Sequence, residues 1–502
     1  MTTCAAAGHA RPGFFPAKRQ LSAMALAGAL LLSTACMVGP QYKRPPAPTA
    51  AAYKEPLPEG WKEAQPNDGA IRGKWWEIYN DARLNALEDQ VNISNQNVLA
   101  AEAQFREAKD AVRIARAALF PTLTGNASVV NSKTSGTLVN NRVGAFSPGQ
   151  LTTYNLPLDL SYQPDLWGNI RRTVKQSAET AQVTAAQLEN VRLTFHAELA
   201  QDYFQLRGAD NAEDLLERTV KSYEEFLQLT QNRYKSGVAS GGDVAQAQTQ
   251  LETARAQLID LGVARAQLEH AIAILTGKPP SELSISRALF KTPPPPVPLG
   301  VPSLLLERRP DIAAAERNMA AVNEQIGINR AAFFPTLLLT ATGGFESSHI
   351  TEWMTWPSRL WSVGPQLSEL LFDAGKRHAQ MAQAQDAFDL AVANYRQTVL
   401  TGFQQVEDNL AALRILAQEA QAEDAAVKAA EESAKISTYQ YKAGTVSYLQ
   451  VITTQAIALQ DETAAVNILT RRLVASVGLI EALGGGWDAS TMPTVTDIVH
   501  GK

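Results

Sequence analysis

Two hydrophobic periods alternate along the chain, and the alternation occurs twice. After Pro121 runs TLTGNASVV, and after Pro335 runs TLLLTATGG; a returning segment follows each. In the first, Leu156, Leu158, Leu160 and Tyr162 fall on one side, and Asn155, Asp159 and Ser161 on the other. In the second, Trp361, Val363, Pro365 and Leu367 alternate with Ser362, Gly364, Gln366 and Ser368. A period of two with unlike faces predicts strands, about as long as tilted transmembrane strands. The segments between them, 133–151 and 348–357, are rich in Gly, Ser, Thr and Asn or in Trp and Pro, and are expected to be exposed loops.

The long stretches around these segments carry heptads. Leu216, Val220, Tyr223, Leu227, Thr230 and Tyr234 step by four and three. Leu251, Ala254, Leu258, Leu261, Arg265, Leu268, Ile272 and Leu275 do the same, with Arg265 the one charged member. Leu459, Val466, Leu469, Leu473, Ile480 and Leu483 fit such a seam. Small Ala and Gln residues between them predict close antiparallel coiled-coil packing. From Arg171 to Arg233 an unbroken helix would be roughly 95 Å long at its usual rise, with a bend expected at Gly208. Each half thus reads helix, two strands, very long helix, tight turn, long helix.

The halves are copies of one unit. RYKSGVAS (233–240) matches QYKAGTVS (440–447) at an offset of 207, which also takes Gly168 to Gly375, Val244 to Val451 and Gly277 to Gly484. LFPTL (119–123) matches FFPTL (333–337) at 214, so a loop between absorbs the difference. A period this long is a duplicated domain rather than a solenoid. The expected organisation is a signal peptide over 1–35 and an N-terminal extended segment over 36–72. A first repeat follows over 73–290, then a Pro-rich linker over 291–302 (KTPPPPVP at its start), a second repeat over 303–486 and a tail over 487–502.

Charge and the N-terminus place the chain. Residues before Gln20 hold Arg11, Lys18, Arg19 and no acid; the apolar run Leu21 to Leu32 and then Ser33, Thr34, Ala35 and Cys36 follow. This is a secretory signal ending on a Cys, and it resembles a bacterial lipoprotein signal cut before Cys36 and lipidated there. Ser33 stands where such signals usually have an apolar residue. The alternatives are an ordinary secretory signal or an uncleaved anchor with an inert Cys36. Cleavage would remove three basic residues, taking the net charge from −5 to −8, and would remove Cys4. Acyl chains on Cys36 would hold the N-terminus at a bilayer without spanning it. A pI near 5.8 argues against a nucleic-acid partner, which needs a basic face. Beyond residue 40 no stretch offers about 20 uninterrupted apolar residues, so no helix of the mature chain is expected to span a membrane.

Four strands per chain force an oligomer if they enter lipid, because open edges leave backbone groups unpaired there. Two chains would give eight strands, whose interior side chains largely fill; three would give twelve and leave a passage.

Specific stretches resemble one family. They are CMVGPQYKRP (36–45), GKWWEIYNDARLNALEDQ (73–90), SYQPDLWGNIRR (161–172), LLLERRPDIAAAE (304–316) and the paired FPT and G-turn motifs. In this order the chain is similar to TolC-like outer-membrane efflux proteins, in the lipoprotein (NodT-type) branch that serves resistance-nodulation-division pumps. The likeness runs over nearly all of 36–486. It implies an α+β fold: a trimeric tube whose transmembrane β-barrel has four strands per chain, continued by a long periplasmic α-helical coiled-coil barrel. It implies passive conduction of substrates loaded by an inner-membrane pump and a periplasmic adaptor. It implies an outer-membrane, lipid-anchored location extending into the periplasm, with no nucleic-acid partner.

The resemblance puts the two turns Arg233–Val238 and Gln440–Thr445, with Gly237, Val238, Gly444 and Thr445 in them, at the periplasmic tip, in grooves that receive the adaptor. The alternative is that these are turn glycines and nothing more. Asp243 and Tyr441 match positions that help keep the tip closed; alternatively, Asp243 caps the second helix. Where the family often carries pore-ringing Asp residues this chain has Gln450 and Thr453, so an acidic constriction is not supported. Neutral rings, or an apolar one from Leu449 or Val451, remain.

Other chemistry is thin. The six His show no metal spacing, and His196, His270 and His378 are expected at helix interfaces or in solvent. Walker, G-x-G-x-x-G and G-x-S-x-G signatures are missing. No cofactor, metal site or enzyme activity is expected. Glu307, Arg308, Arg309 and Asp311 read as a salt-bridged helix start with Pro310 near its first position. Trp75 and Trp76 are expected to pack an N-terminal segment onto the body. The rival readings are the exit duct of a type I protein-secretion or metal-efflux system, and a structural lipoprotein spanning the periplasm. The last predicts no amphipathic strands, so 154–162 and 361–368 speak against it.

Overall fold

The computed structural model describes residues 37–50, 52–56, 73–133, 150–297 and 305–501. The elements run α1 (Ala82–Ser94), α2 (Gln96–Ala117), β1 (Thr122–Gly125), β2 (Ser128–Lys133), β3 (Gln150–Tyr162), α3 (Asn169–Lys235) and α4 (Gly241–Leu275). They continue α5 (Leu305–Arg308), α6 (Pro310–Ala331), β4 (Thr336–Ser347), β5 (Arg359–Ser368), α7 (Lys376–Ala443), α8 (Tyr448–Ala482) and α9 (Val495–His500). Two compact units result, each drawing residues from both repeats.

The first unit (1–42, 113–176 and 323–386) holds one antiparallel sheet. β3 pairs with β4, which joins the two repeats, and β5 closes one side. The first strand of the first repeat differs from expectation, because it is split into β1 and β2, both paired with β3. Pro157 explains the gap. Its carbonyl accepts from the Asn126 N–H at 3.1 Å, but it has no N–H to return. On the other flank Gly344 faces Pro157, where a Cβ would stand 2.2 Å from the Leu156 carbonyl oxygen.

Register sorts the side chains. Cross-strand partners share a face, so Leu123, Leu160, Ala341 and Val363 stand in line, as do Leu158, Gly343 and Trp361. The opposite face carries Thr124, Asp159, Thr342 and Ser362, and Thr342 Oγ1 donates to Asp159 Oδ1 at 2.6 Å. The apolar face is bare: Leu158 is 53% exposed, Val363 74% and Trp361 77%. Each returning strand hands over to a long helix by one device. Asp165 accepts from Arg171 before Gly168 opens α3, and Asp373 accepts from Arg377 around Gly375. Both glycines sit at positive φ, 83° and 86°. Arg377 holds the Asp373 carboxyl below its ordinary value.

The second unit (43–112, 177–322 and 387–502) is helical. The heptad seams are its contacts: Leu216, Tyr223, Leu251, Ala254 and Ile272 are buried, whereas Tyr234 is exposed. α3 runs unbroken through Gly208. Gly208 is a packing residue: a Cβ there would stand 2.3 Å from Thr470 Oγ1. By length and composition α8 could cross a membrane, yet its Val477, Leu479 and Ile480 lie in the core. Pro310 opens α6, and Arg309 bridges Asp311 at 2.6 Å while donating to the Ala482 carbonyl.

Trp75 and Trp76 are buried and fasten the N-terminal helices, as expected. His196 lies at a helix interface rather than in solvent: it is 5% exposed and stacked on Trp76, with its Nδ1 2.6 Å from Glu88 Oε2 of α1. Burial pushes the Glu88 carboxyl well above its ordinary value, and burial with Arg192 nearby pulls His196 down to about 4. Both shifts favour the neutral partners over an ion pair, and Nε2 lies 3.3 Å from Asn92 Oδ1.

Stability should record this pair. Glu88 holds its proton more tightly folded than unfolded. Its contribution is full below pH 4.5 and is lost as pH rises toward its folded value. His196 is the converse: its contribution is present above pH 6.5 and is lost as pH falls to about 4. Against Glu88→Gln, the unsubstituted protein should lose about 1.4 kcal/mol per pH unit above that lower bound. Against His196→Gln it should lose stability as pH falls through the His window. Denaturation midpoints across pH test this; parallel curves for all three proteins would refute the neutral pair.

Candidate functional site at the paired helix turns

The two turns that the repeat predicts are built alike. α3 ends as Gly237 takes φ 74° and donates to the Tyr234 carbonyl, with the Val238 N–H returning to the Arg233 carbonyl. α7 ends as Gly444 takes φ 79° and donates to Tyr441, with Thr445 returning to Gln440. Positive φ satisfies the last helix carbonyls, which is why glycine recurs at offset 207. A Cβ on Gly237 would meet nothing, so its conformation, not space, demands glycine. Val238 is 65% exposed and Thr445 exposed, so both turns present side chains outward.

The second helix of each turn begins differently. Ser240 and Asp243 form a reciprocal capping box at the start of α4, at 3.1 and 2.9 Å. At the matching start of α8, Ser447 makes no side-chain cap, and Gln450 replaces the acid. Gln450 and Thr453 are exposed, with Thr453 Oγ1 donating to the Leu449 carbonyl. Leu449 is exposed, whereas Val451 is fully buried and so is unavailable to line a passage.

Tyr441 is the buried member of the set, at 3% exposure. It packs with Phe226, Ala247, Tyr448 and Val451, its ring 5.5 Å from that of Tyr448. Burial pushes the Tyr448 phenol well above its ordinary range. The Tyr441 hydroxyl lies 3.4 Å from Thr230 Oγ1. Within one chain the structure does not bring Asp243 and Tyr441 together: the carboxylate is engaged in its cap.

The residue that does engage Tyr441 is one that spacing had not singled out. The Arg233 guanidinium stands 4.5 Å from the ring centroid and donates to the Tyr441 carbonyl at 2.6 Å. The signal was available, since Arg233 is the position where the two motifs differ in charge, with Gln440 opposite it in the repeat.

Cys36 lies outside the described residues; its neighbour Met37 is placed. Val38 donates to the Trp167 carbonyl at 3.1 Å, and Arg172 Nε donates back to the Val38 carbonyl at 2.7 Å. Arg172 is 2% exposed and pairs with Glu324 at 2.6 Å. Trp167 donates to the carbonyl of Pro335, the residue before β4. The N-terminal segment is thus fixed at one end of the sheet, where Phe120, Leu371 and Phe372 are also exposed. Among the described residues no cluster of His, Cys, Asp or Glu could hold a metal ion.

Comparison with known proteins agrees with this architecture. The sequence profile of the family described as "Outer membrane efflux protein" matches residues 87–278 and 301–485. The chain is 30% identical over 473 residues to the probable efflux pump outer membrane protein TtgC of Pseudomonas putida, covering 94% of this chain and 96% of that protein. It is 31% identical over 459 residues to the outer membrane protein OprJ of Pseudomonas aeruginosa, covering 90% and 94%. Among solved structures, the CmeC outer membrane channel of Campylobacter jejuni superposes with a TM-score of 0.85 at 25% identity, over 93% of this chain and 98% of that one. The MtrE channel of Neisseria gonorrhoeae, solved in its open state, gives 0.77 at 26% identity, over 90% and 99%. With the profile matched across both repeats, the chain belongs to the outer membrane efflux protein family.

Proposed function

We propose that three copies of this chain form the outer-membrane duct of a tripartite efflux system, conducting passively what an inner-membrane pump and a periplasmic adaptor deliver. The observation that carries this is the sheet. It has one continuous apolar face, one polar face and an outer edge on β5 and on β1 and β2 that pairs with nothing among the described residues. In hydrocarbon such edges must be paired, and copies of the same chain are the simplest partners. Three four-stranded sheets leave a lumen lined by the polar face, which suits Asp159 and Thr342 inside and Trp361 and Val363 toward lipid.

The turns are assigned to the adaptor. Gly237 with Val238 and Gly444 with Thr445 present matched outward surfaces, and a groove of about 1010 Å³ runs along the helices from Leu449 to Tyr223, Leu261 and Leu459, with Gln250, Gln257 and Thr463 also in its lining. A groove between helices of this mixed character fits a helical hairpin. Closure of the duct is assigned to the same end, where the gate candidates Asp243, Tyr441, Gln450 and Thr453 each lie within ten residues of a turn glycine. Lipidation is assigned to Cys36, because Met37 is held where the strands end and acyl chains would enter the adjoining leaflet.

In planar bilayers the full-length protein should give discrete conductance steps, and it should run on gels as a trimer that heating dissociates. A monomer with no steps would overturn the reading. In a strain lacking redundant ducts, deletion should sensitise cells to chemically mixed amphiphiles, with a plasmid copy restoring resistance. Sensitivity to a single metal would point instead to a dedicated metal duct.

Labelled palmitate should be incorporated by the native chain and lost in Cys36→Ser, with trimers persisting because the strands alone hold the membrane. Unchanged labelling would remove the anchor from that residue.

A further inference from the structure

At the end of the strands opposite α6 and α7, β4 turns into β5 through residues 348–358, SHITEWMTWPS. This loop carries large apolar side chains that stand open: Ile350 is 65% exposed, Met354 66% and Trp356 72%. The loop is nonetheless locked. The hydroxyls of Thr355 and Ser358 both donate to the Glu352 carbonyl at 2.7 Å, and the Ser358 N–H donates to the Thr355 carbonyl. Water disfavours such a surface, and a loop so tied has no slack with which to bury it.

Register shows which way the loop leans. Tyr154 and Leu158 of β3, Phe345 of β4 and Arg359 and Trp361 of β5 share one face, and it is the apolar one. Two contacts tie the loop to residues of that face. The Trp353 ring lies 5.7 Å from the ring of Tyr154, and the Arg359 guanidinium lies 4.0 Å from the Trp356 centroid. The loop therefore leans to the apolar side of the sheet and not across the polar side. Arg359 ends the column of Leu367, Val363 and Trp361. It is exposed, and its guanidinium has no hydrogen-bond acceptor among the described residues; Glu352, the one acid of the loop, does not pair with it. A guanidinium laid on an indole still has N–H donors around its rim, and these suit a phosphate.

We propose that the 348–358 loop docks on the outer leaflet and takes a phosphate-bearing lipid there, with acyl chains against Ile350, Met354 and Trp356 and a phosphate on Arg359. This rests on the reading of the sheet as part of a membrane barrel. Continuity favours lipid as the occupant, because the loop extends the face already assigned to hydrocarbon. Depth favours a headgroup at the cation. Arg359 stands eight residues from Leu367, roughly 27 Å of strand, which at the usual tilt covers most of the apolar band of such a barrel. The one unpaired cation of the loop thus falls at headgroup level, with the exposed Trp356 ring beside it.

The test titrates full-length trimers in mild detergent with lipid A carrying both phosphates and with the same lipid stripped of them. The native trimer should bind the phosphorylated form roughly tenfold more tightly. Arg359→Gln should lose that preference and Arg359→Lys should keep part of it. Ile350→Ser combined with Met354→Ser should weaken binding of both lipids alike. Equal affinity of the native trimer for the two lipids, or an undiminished preference in Arg359→Gln, would overturn the proposal. Displacement of the lipid by inorganic phosphate alone would also overturn it, in favour of a free-anion site. So would loss of trimer bands on unheated gels in the Ile350→Ser, Met354→Ser variant, which would make the loop a contact between copies. Should Arg359→Gln fail to assemble, the two lipids on the native trimer and on Arg359→Lys still decide. A native protein that forms no trimer and inserts into no liposome would instead count against the duct itself.

Discussion

A β-strand in hydrocarbon must have its backbone paired on both sides, and this chain alone cannot meet that condition. Among the described residues its sheet ends in two open edges, and its apolar face, with Trp361 and Val363 three-quarters exposed, is unfit for water. Much of what the chain carries reads as an answer to that condition. The second repeat supplies β4 and β5 to meet β3, so duplication doubles the arc of sheet each subunit brings. The remaining edges are left for other copies to close. A lone subunit would be an aggregation hazard, so membrane insertion and assembly are expected to be coupled events.

How far this was legible depends on the kind of signal. The alternation of Leu156, Leu158 and Leu160 with Asp159 and Ser161 survives into the fold because period two reports directly which face is buried. The heptads survive for the same reason, since they report a contact seam. Pro157 was visible as a residue, but its effect was not. Only the register shows that its missing N–H would have pointed toward Asn126 rather than toward β4. Gly208 was visible as a glycine in a long helix, but the close approach of Thr470, which needs a missing side chain, was not. His196 lacked any periodic signature to mark it as core, since its burial rests on Trp76 and Glu88, more than a hundred positions away.

The candidate site was legible in outline for a different reason. Glycines at a fixed offset, in segments that match on either side of them, announce two equivalent turns. Equivalence itself then misled, by directing attention to what the turns share. The informative positions are those where the copies diverge. One start has the Ser240 and Asp243 box and the other has uncapped Ser447; one end has Arg233 and the other has Gln440.

That divergence sits where the structure can most easily move. Around Trp76, Tyr203, Phe204 and Ile480 the helical unit has a large buried cluster tied by Tyr203 to Asp81 and by Tyr79 to Ser476. Around the turns the buried cluster shrinks to Phe226, Ala247, Tyr441, Tyr448 and Val451, while the turns themselves are exposed. Local opening costs least where few apolar contacts must be broken. In so thinly packed a region one guanidinium over one ring is a substantial share of the cohesion. The same contact buried among the tryptophans would be redundant. Among the described residues the cation–ring contact that joins the two turns, Arg233 over Tyr441, lies at this thinly packed end.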